Sequence, residues 1–299
     1  MLVSINMCFT ECPYNLDSTL ILTQIVNTVY IVNPWYNTIM ALQNKKSLGQ
    51  HWLKDPDMLA AIADAAALTP DDTVLEIGPG LGTLTSRLLA RAGRVTAVEY
   101  DADLARKLPG QFPGKQLTVV HEDILQFDLS QLPTGYVVVA NVPYYITSKI
   151  VQKLLTAENK PRRTVLLVQK EVAERIAAEP GAMSLLGVSA QLYAEATLGP
   201  VVPRQFFVPP PKVDSQVVVL ETRAQPLVSP ADEKDFFRVV RAGFVAKRKK
   251  LRSALAAGLA LDKTEIETML QHAGISSDWR AEDVSIAQWL AIMQEWRAR

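Results

Sequence analysis

The segment VVVANVPYYITSKIV, from Val137 to Val151, contains side chains that could take part in binding or in a reaction. A run of β-branched residues is typical of a buried strand, whose interior disfavours asparagine and proline. Asn141, Pro143 and Tyr144 nevertheless follow the run directly. An amide can accept and donate hydrogen bonds, and an aromatic face can stack on another planar group. A strand that ends in an ordinary turn explains these residues equally well, so neighbouring motifs must decide.

A glycine-rich loop, EIGPGLG, begins at Glu76. Glycines let the backbone turn tightly, and they let a ligand lie against bare main chain at a helix N-terminus. Gly78, Gly80 and Gly82 stand at every second position, whereas the dinucleotide fingerprint needs its third glycine one residue later, where Thr83 stands. The spacing therefore disfavours a nicotinamide cofactor and resembles that of S-adenosylmethionine-dependent methyltransferases.

Two acidic residues follow the next two predicted strands. Glu99 stands about twenty residues after Gly78, where such folds use a carboxylate to bind ribose hydroxyls. Asp123 ends the HED segment and is placed to bind an adenine amino group. Either residue alone is more often a solvated helix cap. At successive strand ends of one sheet, the pair predicts a bound nucleoside.

Strands and helices alternate along the region that positions these residues. Asp55 is placed to cap a first helix that starts at Pro56, Gly93 to end a second helix and Asp101 to cap a third. The predicted strands are DTVLEIG, RVTAVEY, QLTVVHED, YVVVAN and RTVLLVQ, and SKIVQKLL and KEVAERIAA are further helices. The pattern predicts an α/β fold, a Rossmann-like, mostly parallel sheet with helices on both faces.

From about Ser229 only helical patterns remain, in the segments DEKDFFRVVRAGF, KRKKLRSALAAGL, KTEIETMLQHAG and SIAQWLAIMQEW. We therefore expect a sheet domain over residues 41–226 and a small all-α domain over residues 227–299. Residues 1–40 are an atypical extension, because residues 1–44 lack Lys and Arg. Met40 is the hypothesised natural start. The extension matches neither a signal peptide nor a membrane span.

Composition narrows the possible functions. The formal net charge of the 299 residues is zero, which argues against a protein that coats nucleic acid through overall basicity. One segment, RAGFVAKRKKLR, is nevertheless locally basic. The two cysteines lie within the first dozen residues, and the three histidines lack ligand spacing. We therefore expect a reducing, cytoplasmic location and no metal centre.

The Asn-Xaa-Pro-Tyr sequence at Asn141 resembles motif IV of the amino-methyltransferases. With the other motifs it identifies a resemblance to the ribosomal RNA adenine dimethyltransferases of the kasugamycin-susceptibility (KsgA) type. The resemblance extends roughly from Lys45 to Trp296. The matching segments are KKSLGQHWL, LEIGPGLGTLT, VEYD, ANVPYYITS, FFVPPPKVDSQVV, FVAKRKKLRSAL and RAEDVSIAQW.

The resemblance implies that S-adenosylmethionine is the cofactor and S-adenosylhomocysteine the product. The residues implied to surround it are His51, Leu53, Gly78, Gly80, Glu99, Asp123 and Asn141. In the family the position of His51 is often Asn and that of Trp52 often Phe; this departure leaves the expected cofactor unchanged and leaves open which atom of His51 contacts it.

The resemblance also implies an adenine pocket. The Asn141 amide oxygen and the Val142 carbonyl would accept both hydrogens of the adenine amino group, favouring its pyramidal, nucleophilic form. Pro143 would hold the loop in place. Tyr144 and Phe207 would lie on opposite faces of a base taken out of its stack. The neighbouring ring of Tyr145 is expected to pack behind the loop.

The implied reaction dimethylates N6 of two adjacent adenosines in the 3′-terminal hairpin of small-subunit (16S) rRNA, within a pre-30S particle. The predicted RNA-binding residues are Lys247, Arg248, Lys249, Lys250 and Arg252. We expect a monomer without a membrane partner. One alternative is an erythromycin-resistance type methylase acting on large-subunit (23S) rRNA. Another is a catalytically silent RNA-binding assembly or transcription factor on the same scaffold.

Overall fold

A seven-stranded sheet forms the centre of the protein, which a computed structural model describes from residue 49 to residue 299. The hypothesised start at Met40 and the extension before it lie outside the described residues. The strands, in chain order, are β1 (Trp52–Leu53), β2 (Thr73–Ile77), β3 (Arg94–Glu99), β4 (Leu117–His121), β5 (Val137–Asn141), β6 (Arg163–Gln169), β7 (Ala194–Val202), β8 (Phe207–Val208) and β9 (Ser215–Thr222).

The sheet order is β4-β3-β2-β5-β6-β9-β7. The strands from β2 to β6 pair in parallel, and β9 runs antiparallel to both β6 and β7. This confirms the mostly parallel sheet. The central parallel strands β2, β3, β5 and β6 are rich in Val, Leu and Ala and are largely buried on both faces, whereas the edge strand β4 is only partly buried. The pattern of β7 was missed, because Gly199 and Pro200 interrupt it where its pairing is irregular.

Ten α-helices occur in the described part of the chain. They are α1 (Pro56–Ala65), α2 (Thr83–Leu88), α3 (Ala102–Lys107), α4 (Thr147–Thr156), α5 (Lys170–Ile176), α6 (Leu185–Gln191), α7 (Glu233–Phe244), α8 (Leu251–Leu259), α9 (Lys263–His272) and α10 (Ile286–Arg297).

Local capping residues set several helix starts. The Asp55 side chain accepts a hydrogen bond from the Met58 N–H, and Pro56 occupies the first turn of α1. Asp101 caps α3 in the same way. Both predicted caps are confirmed. The predicted end at Gly93 was wrong, because α2 already ends at Leu88.

One hydrophobic cluster runs from the sheet into the C-terminal helices. It joins Leu75 and Leu166 of the central strands to Phe236 of α7 and Trp289 of α10. The two aromatic side chains are fully buried, and large aromatic rings contribute much of the stabilisation of a core. The predicted boundary between residues 226 and 227 stays a prediction, since this core continues across it.

The parallel strands place their carboxyl ends at the same edge of the sheet, where the loops after β2, β3, β4 and β5 meet. A separate two-stranded sheet brings the N-terminal residues to this edge. In it β1 pairs antiparallel with β8, with Trp52 opposite Val208 and Leu53 opposite Phe207. No helix among residues 49–299 combines the length and apolar character that a membrane span requires.

Candidate active site

A cavity of about 300 Å³ opens at the carboxyl ends of the parallel strands. Ligands of open α/β sheets bind in this position. The cavity brings together nine of the predicted site residues, which come from four loops of the sheet and from the segment around β1. They are His51, Leu53, Gly78, Gly80, Glu99, Asp123, Asn141, Pro143 and Tyr144.

The glycine-rich loop takes its shape from left-handed backbone. The φ angles are +66° at Gly78, +56° at Gly80 and +78° at Gly82, a region that disfavours residues with a Cβ. A side chain would also crowd its neighbours at two of these positions. A Cβ at Gly80 would approach the Trp52 ring to 3.2 Å, and one at Gly82 would approach a Leu108 methyl to 2.8 Å.

Glu99 ties the end of β3 to the glycine-rich loop. One carboxylate oxygen accepts a hydrogen bond from the Gly80 N–H at 3.0 Å, and the other accepts from the Asp101 N–H at 2.8 Å. Burial raises the pKa of Glu99, although these backbone donors oppose the shift. The side chain is therefore held in one orientation at the cavity wall. Asp123 is held similarly, accepting from the Leu125 N–H at 2.9 Å.

Glu76 is a cavity residue that sequence reasoning missed as part of the site. Its side chain is 1% exposed, and neither carboxylate oxygen has a hydrogen-bond partner within residues 49–299. Burial raises its pKa to about 8, with Glu99 adding to the shift and Thr85 opposing it. A buried acid in the otherwise apolar strand TVLEI was the available signal. The acid is therefore mostly protonated in the ligand-free protein at neutral pH, and a cationic ligand group beside it would favour its ionised form.

Asn141 is oriented by a residue far away in sequence. Its Nδ2 donates to the backbone carbonyl of His51 at 3.1 Å. The two heteroatoms of an amide lie on opposite sides of its carbon, so this bond also sets the direction of Oδ1. The His51 ring is itself held, because Nδ1 lies 2.8 Å from the Pro209 carbonyl oxygen. A carbonyl oxygen only accepts, so Nδ1 carries the proton.

The Tyr144 ring is held at both of its ends. Its hydroxyl lies 2.7 Å from the Ser215 hydroxyl at the start of β9. The ring stacks on His51, with centroids 6.0 Å apart and an angle of 17° between the planes. Burial raises the pKa of Tyr144, so the phenol stays neutral at physiological pH. A neutral, fixed aromatic face therefore lies beside Asn141.

Two aromatic residues differ from expectation in their placement. Phe207 is 1% exposed, packs in the core beside Leu53 and Val202, and does not line the cavity. Its contact with a target base stays a prediction. The expectation that Tyr145 packs behind the loop was wrong, because its side chain is 67% exposed at the cavity.

The lysines of the basic segment lie in a turn between α7 and α8, so the predicted helix over them was wrong, and Arg252 lies in the first turn of α8. Lys247, Arg248 and Lys249 are exposed. Lys250 instead pairs with Asp278 at 2.9 Å. Arg252 pairs with Glu267 at 2.8 Å. Acidic residues of the same chain therefore neutralise part of the positive charge of this segment.

Comparisons with known proteins agree with this arrangement. Residues 41–297 match the family described as Ribosomal RNA adenine dimethylase. A protein of Dehalococcoides mccartyi named Ribosomal RNA small subunit methyltransferase A is 43% identical over 259 residues, which are 85% of this chain and 89% of the relative. A protein of the same name from Anoxybacillus flavithermus is 41% identical, over 84% of this chain and 90% of the relative.

Solved structures also resemble the chain. A dimethyladenosine transferase from Plasmodium falciparum has a TM-score of 0.71 and 28% identity, covering 83% of this chain and 98% of that one. The 23S rRNA methyltransferase ErmE has a TM-score of 0.69 and 32% identity, covering 82% and 98% respectively. The family match spans nearly all of the described residues, so this chain belongs to the ribosomal RNA adenine dimethylase family.

Proposed function

We propose that this protein transfers methyl groups from S-adenosylmethionine to N6 of adenosines in small-subunit rRNA, leaving S-adenosylhomocysteine. The observation that carries the proposal is the Asn141–Tyr144 loop, which presents an oriented amide and a fixed aromatic face to the cavity. The names of the curated relatives support the small subunit as the source of the RNA.

The cavity contains groups that suit each part of the cofactor. Glu99 and Asp123 would bind the ribose hydroxyls and the adenine amino group, and the backbone at Gly78 would approach the ligand closely. The unpartnered Glu76 carboxylate fits the cationic amino group of the methionine portion. When bound, the cofactor supplies an electrophilic methyl group on a sulfonium sulfur.

The opposite part of the cavity suits the target base. The Oδ1 of Asn141 and the carbonyl of Val142 would accept the two hydrogens of the adenine amino group, which aligns its lone pair for attack. The Tyr144 ring would stack on the base. N6 gains the methyl carbon and loses one proton. The methylated, charged amino group is strongly acidic, so water suffices as the proton acceptor.

We assign RNA contact to the exposed turn before α8. Lys247, Arg248 and Lys249 would bind phosphates, which adds affinity without sequence information. The proposal includes two adjacent adenosines in the 3′-terminal hairpin as targets and a pre-30S particle as the partner. We also propose that the protein acts as a monomer in the cytoplasm.

A second candidate is methylation of large-subunit rRNA, which the similarity to the ErmE structure favours. A methylation assay separates the candidates. The purified protein is incubated with labelled cofactor and either unmethylated small-subunit particles or large-subunit RNA, and N6-dimethyladenosine is mapped by mass spectrometry. We expect label at adjacent adenosines near the 3′ end of small-subunit rRNA. Label confined to large-subunit RNA would overturn the proposal, and cofactor binding without turnover would favour a silent factor.

A further inference from the structure

Tyr145 has a large side chain that has no role in the proposed reaction. It follows the Asn141–Tyr144 loop directly and also lines the cavity. Its side chain is nevertheless 67% exposed, so it adds little to the core. Tyr144, by contrast, is half-buried and bonded to Ser215.

The local backbone explains why the two neighbouring rings separate. Tyr144–Ile146 forms one turn of 3₁₀-helix, in which successive side chains diverge by about a third of a turn. Tyr144 therefore faces the cavity wall while Tyr145 points to its rim. Gly49 lies beside one edge of the ring, where a Cβ would be in ordinary contact with Tyr145 Cδ1 and Cε1 at 3.7 Å. The remainder of the ring is open.

The substrate must continue across this rim. A base that enters the cavity stays covalently joined to its neighbours, so an adjacent nucleotide lies at the opening while the reaction occurs. Aromatic side chains bind unpaired bases by stacking, and every base presents a face for such contact. Lys149 is exposed four residues after Tyr145, and its positive charge would attract a backbone phosphate of the bound strand.

We propose that Tyr145 stacks on the nucleotide adjacent to the target adenosine and holds the RNA strand while the target base occupies the cavity. This inference rests on the proposed function, because it requires a base that leaves its stack. Tyr145 is a positioning residue, and its ring rather than its hydroxyl carries the effect. Tyr100 is also exposed at the cavity, but it adjoins Glu99 at the end assigned to the cofactor.

Kinetics with unmethylated small-subunit particles test the inference. Tyr145→Ala should lower kcat/KM for the particle about tenfold or more, the loss typical of one stacked base, while Tyr145→Phe should retain it. Cofactor affinity and the melting temperature should stay at wild-type values in both variants. Leu198→Ala is the matched control, because Leu198 is 46% exposed on β7 outside the cavity lining. It should behave as wild type.

A fluorescence experiment reports stacking independently of turnover. An RNA hairpin carries 2-aminopurine beside the target adenosine, and full-length protein is added with S-adenosylhomocysteine. Wild type and Tyr145→Phe should quench the fluorophore more than Tyr145→Ala. Equal kinetics and equal quenching in all three proteins overturn the inference, as does an equal loss in the Phe and Ala variants. If wild type methylates small-subunit rRNA in these cases, the proposed function stands and only the role of Tyr145 fails.

Discussion

Asn141 and Glu76 line the same cavity but are held in opposite ways. The Asn141 amide is oriented by the His51 carbonyl at 3.1 Å. Glu76 is buried with no partner for either carboxylate oxygen among the described residues. In the proposed function, Asn141 would act on a neutral amino group and Glu76 would pair with a positive charge. Each arrangement has a measurable consequence.

Asn141→Ala should lower turnover much more than cofactor affinity. Removing one group that stabilises a transition state typically costs about 100-fold or more in rate. Single-turnover kinetics and calorimetric titration of the cofactor measure the two quantities separately. An equal loss of rate and affinity would show that Asn141 serves mainly to bind the cofactor.

Glu76→Gln should change how the stability of the ligand-free protein depends on pH. Burial raises the pKa of Glu76 from 4.5 to about 8, so the folded state holds this proton more tightly than the unfolded state. The stabilisation of the folded state that results from this bound proton is complete below pH 4.5 and is lost as pH rises towards 8. Glutamine cannot ionise, so the variant should lose less stability over this range.

Melting temperatures measured between pH 5 and about 8.5 test this prediction. Glu179→Gln is the control, because Glu179 is exposed and its charge is solvated. It should follow the wild-type profile. A Glu76→Gln profile parallel to that of wild type would rule out the proposed proton linkage.

At the scale of elements, helix packing depends on a close contact between α7 and α10. A Cβ at Gly243 of α7 would overlap the ring of Trp289, which is fully buried. Alanine normally stabilises a helix interior relative to glycine. At this position the substitution should instead destabilise the protein, because the new Cβ would overlap a packed ring, and neither the backbone nor the indole can move without disturbing its neighbours.

Gly243→Ala should therefore destabilise the protein by about 1–3 kcal/mol, the usual cost of overpacking. Chemical denaturation monitored by tryptophan fluorescence gives this difference. Gly110→Ala is the control, because a Cβ at Gly110 would meet nothing within 4 Å. Its effect should stay within about 0.5 kcal/mol. A stabilised Gly243→Ala variant would contradict the described packing.

At the scale of the whole molecule, a chain with zero formal charge must bind a polyanion through a local surface. The exposed turn of Lys247, Arg248 and Lys249 is the surface that we propose. Lys115 offers a contrast, since it is exposed just before β4 and therefore at the opposite edge of the sheet from the cavity.

Replacing Lys247 and Lys249 together by alanine should weaken RNA binding and its dependence on salt. Each lost phosphate contact lowers the slope of log affinity against log salt by roughly one. Binding titrations at several salt concentrations measure that slope. Lys115→Ala should leave it unchanged. An unchanged slope in the double variant would remove the turn from the RNA surface.

Features that depend on neighbouring residues were predictable from the sequence alone. The caps at Asp55 and Asp101 follow from hydrogen bonds to N–H groups two or three residues away. The glycine-rich loop follows from backbone angles that only glycine adopts easily. Because parallel strands end at one edge, the strand order along the chain also predicted that Glu99, Asp123 and Asn141 would meet.

Contacts between residues that are distant in the sequence became known only from the folded structure. The orientation of Asn141 depends on His51, 90 positions earlier, and Phe207 is buried in a cluster with Leu53 and Val202. The sequence did not predict that the Tyr145 side chain would be exposed or that Glu76 would be enclosed at the cavity. Side-chain exposure depends on every element packed around a position. The residue pattern of a short segment does not contain these distant contacts. The fold could therefore be predicted from the sequence, whereas the final geometry of the site could not.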